Sequence, residues 1–142
     1  GNIMDYRIEK KREFKVIGKS EIFDTSDEFN RDDIPKFWSR CHKDGTVKAL
    51  YELSRNTQNS GTVFGVCCEG DSSDIHQFPY LIATCVGAMP RAIQDLWHQI
   101  YTEFFPTSEY HPAHGIDLEA YYEGNMDDKK YVSEIWIPVE KE

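Results

Sequence analysis

The chain has 142 residues, 39% of them hydrophobic and 13% aromatic, and its 16 basic against 25 acidic side chains leave a formal net charge of −9. That is enough chain for one domain with a substantial core, and too many apolar side chains for a disordered one. The acidic balance argues against direct nucleic acid binding, which needs a basic surface to meet phosphates, and leaves a modest bias toward cationic ligands.

No apolar run has the length needed to span a membrane and no signal peptide is visible, so a cytoplasmic location is the default expectation. Gly1 to Ile3 read as a remnant ahead of an initiator at Met4. Cys41, Cys67, Cys68 and Cys85 show neither a disulfide framework nor CxxC spacing and read as small hydrophobes.

From Tyr6 to Phe23 the pattern predicts one or two extended segments, with Ile8, Phe14, Val16 and Ile22 as core candidates. Asp33 ahead of Pro35 suits the first turn of a helix. That helix passes through Phe37, Trp38 and Cys41 to a stop at Gly45, and a short helical piece follows from Val47 to Leu53. Asn56 to Gly61 is a polar turn. Thr62 to Cys68 reads as a strand, Glu69 to Gln77 as an acidic loop, and Phe78 to Val86 as a strand again.

Met89 to Phe105 carries the clearest helical periodicity, with Ile93, Leu96, Trp97, Ile100, Tyr101 and Phe104 on one face and Pro106 as its end. Tyr110 to Gly115 reads as a loop. Two strands around the turn Gly124 to Lys130 then close the chain. Ile34-Pro35-Lys36 and Met89-Pro90-Arg91 each open an aromatic-bearing helix followed by two strand-like segments, a faint repeat that suggests two βαββ halves.

The closing strands carry Glu119 followed by Tyr121, and Glu134 followed by Trp136. Residues two apart on a strand share a face, so each segment sets a carboxylate beside a ring. If the strands pair, the expectation is a single acidic, aromatic-lined patch suited to an organic cation. A glutamate on a strand is more often merely solvated, and Trp97 and Tyr101 at helical spacing are more often core. His111 and His114 flank Pro112, which breaks a helix, and no third metal ligand is evident, so they read as loop residues. No phosphate loop or nucleophile motif is present, and no cofactor is expected.

Several stretches together resemble the GyrI-like, AraC-type effector-binding domains of the BmrR ligand-binding-domain superfamily. They are Tyr6-Arg7-Ile8-Glu9 with Phe14-Lys15-Val16-Ile17-Gly18, Ile34-Pro35-Lys36-Phe37-Trp38, and Phe64-Gly65-Val66-Cys67. Toward the C-terminus they are Leu96 to Tyr101 with Phe105 to Tyr110, Asp117-Leu118-Glu119-Ala120-Tyr121, and Ser133 to Val139. The resemblance spans nearly the whole chain. It implies an α+β fold in which two pseudo-symmetric βαββ halves form an antiparallel sheet, with helices on one side and a ligand cleft between the halves. The family's full strand and hairpin before the second helix are not matched, because Phe78 to Ala83 runs straight into Thr84 to Gly87.

By that resemblance Glu119 corresponds to the family's buried, ring-lined glutamate. Glu134 is a second acid nearby, Tyr121 and Trp136 flank the pair, and Trp38, Trp97 and Tyr101 come from the helices. The implied function is a stand-alone binding module for a small cationic, lipophilic or aromatic effector, acting alone or through a separate regulatory protein. Two alternatives are implied as well. One is a hydrolase of cyclopropane-type toxins using Glu119 or Glu134, and the other a protein-binding inhibitor of the gyrase type.

Overall fold

The computed structural model of the chain describes residues 3–23, 33–67 and 79–142. The expected acidic loop and the residues Cys68 and Phe78 lie outside the described residues. The chain divides into two compact units, one of Gly1–Lys15 with Phe64–Glu142, the other of Val16–Val63.

The first unit is built on a six-stranded sheet. Its path runs β1 (Tyr6–Lys10), β3 (Pro79–Val86), β6 (Val132–Lys141), β5 (Asp117–Tyr122) and β2 (Thr62–Cys67, in this unit from Phe64), and β4 (Tyr110–Pro112) pairs the end of β6. β1 with β3, β3 with β6, β5 with β6 and β4 with β6 are all antiparallel. Together with its helices this makes an α+β fold.

β3 is one unbroken strand that pairs β1 along Pro79 to Ala83 and β6 along Tyr80 to Val86. The run Pro79 to Val86 therefore does duty on both sides. Its composition explains why: Tyr80, Leu81, Ile82 and Ala83 are at most 1% exposed, so both faces are covered. β6 is likewise buried from Ser133 to Val139. Continuous apolar runs of this kind belong to the middle of a sheet.

α3 (Arg91–Gln99) packs on β3 and β6 and buries Ile93 and Leu96. The helix then widens into a π-helical turn, Ile100–Phe104, before a last turn α4 (Phe105–Thr107). Pro106 thus sits inside the helical segment, which continues to Thr107 beyond the expected end. A widened turn tolerates a residue with no N–H to return to the i−4 carbonyl. The Thr107 hydroxyl serves the Glu103 carbonyl at 2.7 Å. β4 stands where a loop was expected; three residues ending in Pro112 at a sheet end are too short to show periodicity.

The second unit holds α1 (Asp33–Lys43) and α2 (Thr46–Ser54), joined through Gly45 at φ +86°. Asp44 accepts the Thr46 N–H at 2.9 Å, the Thr46 hydroxyl at 2.6 Å and the Lys19 ammonium at 2.9 Å. Cys41 and Val47 are its buried helix residues. Two expected core residues are not core: Val16 is 44% and Ile22 98% exposed, in a stretch from Lys11 to Phe23 with no helix or strand. Charged side chains and Gly18 interrupt that stretch too often to leave one apolar face. Among the described residues no helix is long and apolar enough to cross a membrane.

Candidate functional site

β5 and β6 do pair, but in a register that separates the two glutamates. Glu119 lies opposite Ile135, and Glu134 lies opposite Ala120. Directly opposed residues of an antiparallel pair point the same way. Glu119 therefore shares a face with Tyr121, Ser133 and Ile135, while Glu134 shares the other with Leu118, Ala120 and Trp136. The expected single acidic patch is two sites on opposite faces of one hairpin. The spacing within each strand was readable; the offset between strands decides the faces, and one residue of slip inverts it.

On the α3 face, the Glu119 carboxylate accepts the Trp97 indole N–H at 2.6 Å on Oε2 and the Tyr121 hydroxyl at 2.9 Å on Oε1. Among the described residues it is paired with no lysine, arginine or histidine. The carboxyl is closely surrounded by protein, yet the residue keeps some contact with solvent. Burial pushes it above the usual carboxylate range, and the two hydrogen bonds pull back only part of the rise. Burial, and then the neighbouring Glu119 charge, drive the Tyr121 hydroxyl strongly upward as well. Both donors to Glu119 are thus neutral and stay protonated.

Trp97 opens an aromatic ladder along the helix. Its ring stacks on Tyr101 at 6.3 Å and 22°, and Tyr101 meets Phe105 edge-on at 5.2 Å. Tyr101 is 47% exposed, so this stripe is not core, whereas Ile93, Leu96 and Ile100 on the same helix are buried. Tyr6 adds a ring 4.7 Å from Phe104.

On the opposite face, Glu134 is fully engaged. Its Oε2 accepts Arg7 at 2.8 Å, and its Oε1 accepts the Trp136 indole N–H at 3.1 Å and the Tyr122 hydroxyl. Burial alone pushes the carboxyl up, but Arg7, Tyr122 and Trp136 together outweigh it and hold it below the usual range. Around Trp136 stand Phe64 at 5.1 Å, Tyr80 at 6.2 Å and Phe14 at 6.4 Å, with the Lys11 ammonium 4.7 Å above the indole ring.

Trp38 belongs to the second unit, where its ring lies 6.3 Å from His42 on α1. Arg7, Lys11, Tyr122, Phe14 and Phe64 were missed as site residues by sequence reasoning. The alternation Tyr121-Tyr122 already put two hydroxyls on opposite faces. Nothing local, however, signals that Arg7 meets a carboxylate 127 positions away.

Residues 7–139 match the family model described as Cass2, an integron-associated effector binding protein. No curated protein sequence gives a match. Among solved structures, a protein described as a bacterial transcription regulation protein from Staphylococcus aureus MU50 is similar with a TM-score of 0.75 at 23% identity, over 96% of this chain and 99% of that one. The structure of SAV2435 bound to tetraphenylphosphonium is similar with a TM-score of 0.78, also at 23% identity, over 96% of this chain and 94% of that one. At that identity the likeness is one of fold.

Proposed function

From the premise that the chain belongs to the Cass2 family of integron-associated effector-binding proteins, we propose that its effector is a small organic cation and that Glu119, Trp97, Tyr121 and Tyr101 receive it. One observation carries this reading: a carboxylate closely surrounded by protein, hydrogen-bonded by two neutral donors, with no cation of its own among the described residues. An ionised carboxylate in that setting is costly until a positive charge arrives. A lipophilic, delocalised cation compensates best, because it loses little hydration and its charge rests against rings, at about 0.5–2 kcal/mol for each cation–π contact.

SAV2435, which shares the fold, was captured with a compound of this kind. The proposed receptor uses residues of the first unit alone, and the separate expectation that Trp38 binds ligand is judged by its own Trp38→Ala titration. We read the whole chain as one effector-binding domain of two βαββ halves.

Burial raises the carboxyl's titration and a bound cation opposes that rise, so the affinity is expected to rise with pH through the Glu119 titration, with proton release on binding in that range. Tryptophan-fluorescence titration with tetraphenylphosphonium tests the proposal. Saturable quenching that is lost in Glu119→Gln supports it, and the absence of any saturable response in the wild-type protein overturns it. Calorimetry in two buffers of different ionisation enthalpy reads the released proton directly.

A further inference from the structure

We propose that the opposite face of the sheet carries a second receptor for an organic cation, built on Glu134, Trp136 and Tyr122, which the chain's own Arg7 and Lys11 hold closed. This goes beyond the Glu119 site and does not depend on it. The two basic side chains already act as the ligand would. The Arg7 guanidinium lies 2.8 Å from a Glu134 carboxylate oxygen, and the Lys11 ammonium sits 4.7 Å over the Trp136 ring. Carboxylate and aromatic face are the two groups that recognise a cation, and Phe14, Phe64 and Tyr80 enclose the indole.

The arrangement is layered. Glu134 has 9% of its side chain exposed and Trp136 is 3% exposed, whereas the Arg7 side chain is 47% and the Lys11 side chain 25% exposed. The receiving groups are inside and the plug is outside. Both plug residues also hold Glu9, each at 3.0 Å, so Glu9 gives them a counter-ion on the surface when they leave the inner site. Arg7 and Glu9 lie on β1, an edge strand, so this movement breaks no pairing in the middle of the sheet.

The experiment is a calorimetric titration of the Arg7→Met/Lys11→Met double variant with tetraphenylphosphonium. The number of molecules bound per chain rises by one relative to wild type, and adding Glu134→Gln takes that increment away. The increment is counted against whatever wild type shows, one site or none, and it persists when Glu119→Gln is added. A failed Glu119 site and a failed Glu134 site therefore give different results. An unchanged stoichiometry in a double variant that still unfolds cooperatively overturns the proposal.

If the double variant does not fold, Lys11→Met alone decides, since Lys11 touches Trp136 and Glu9 but not Glu134. The Trp136 indole N–H resonance then shifts at a tetraphenylphosphonium concentration roughly two- to thirtyfold lower than in wild type, the range set by one cation–π contact. An unchanged midpoint overturns the proposal.

Discussion

Two glutamates fifteen positions apart in one hairpin hold opposite electrostatic states, and the difference lies in their partners. Glu134 has Arg7; Glu119 has only a tryptophan N–H and a tyrosine hydroxyl among the described residues. A carboxyl whose folded pKa is raised stabilises the fold below its unfolded value, about 4.5, and loses that contribution as the pH rises through the folded pKa. At neutral pH, Glu119 therefore destabilises the empty protein. Glu119→Gln is expected to raise the thermal midpoint at pH 7, with the gap to wild type closing near pH 4, while cation binding weakens by about 2–5 kcal/mol. Thermal unfolding at the two pH values, beside a tetraphenylphosphonium titration, checks both halves. For Glu134 the sign reverses: its folded pKa is lowered, so its contribution is present above about 4.5 and lost as the pH falls through the folded value. Arg7→Ala leaves that carboxylate with neutral donors only. Because Arg7 is half exposed, the expected loss is intermediate between surface and buried pairs, about 1–3 kcal/mol in urea unfolding at pH 7.

At the scale of elements, the junction between β3 and α3 fixes how the Trp97 helix meets the sheet. Gly87 makes that junction with φ +146°, donates its N–H to the Tyr131 carbonyl at 2.8 Å, and a Cβ placed on it would lie 2.8 Å from the Ala92 Cβ. Both the backbone region and the space exclude a larger residue. Gly87→Ala is expected to destabilise by about 1–3 kcal/mol. Gly18→Ala, whose added methyl would meet nothing within 4 Å, is expected to be neutral; urea unfolding of the two compares them. The helix itself was legible from its period, and so were its buried residues. The π-helical turn was not, because its i→i−5 bonding leaves no mark in a hydrophobic pattern. It follows Trp97 and carries Tyr101, so the exposed side of the aromatic ladder belongs to the irregular part of the helix.

For the whole molecule, the chain carries a formal net charge of −9. It favours the approach of any cation, and salt weakens that long-range part while leaving the contact with a desolvated carboxylate largely in place. Cation affinity is expected to fall with added salt and then level off, which titrations from low to physiological ionic strength will show. Ligand present at about 100 times its dissociation constant stabilises the folded state by about 2.7 kcal/mol. A thermal shift of the wild-type protein with tetraphenylphosphonium, absent in Glu119→Gln, reports that linkage independently of fluorescence.

The sequence by itself determined the strands other than β4 and the true end of β1, the main helices, the pairing of a carboxylate with a ring on each closing strand, and the family to which those motifs point. All of these rest on neighbours within a few positions, where periods of 2 and 3.6 residues and turn chemistry act. Only the tertiary structure decided that Glu119 and Glu134 face opposite ways, since that follows from a register between strands joined through a long turn. It also decided which of them is neutralised, because Arg7 reaches Glu134 only after β1 has docked on β3 and β3 on β6. Charge compensation is a long-range property of the sheet, and it separates the glutamate paired with Arg7 from the one that has only neutral donors among the described residues.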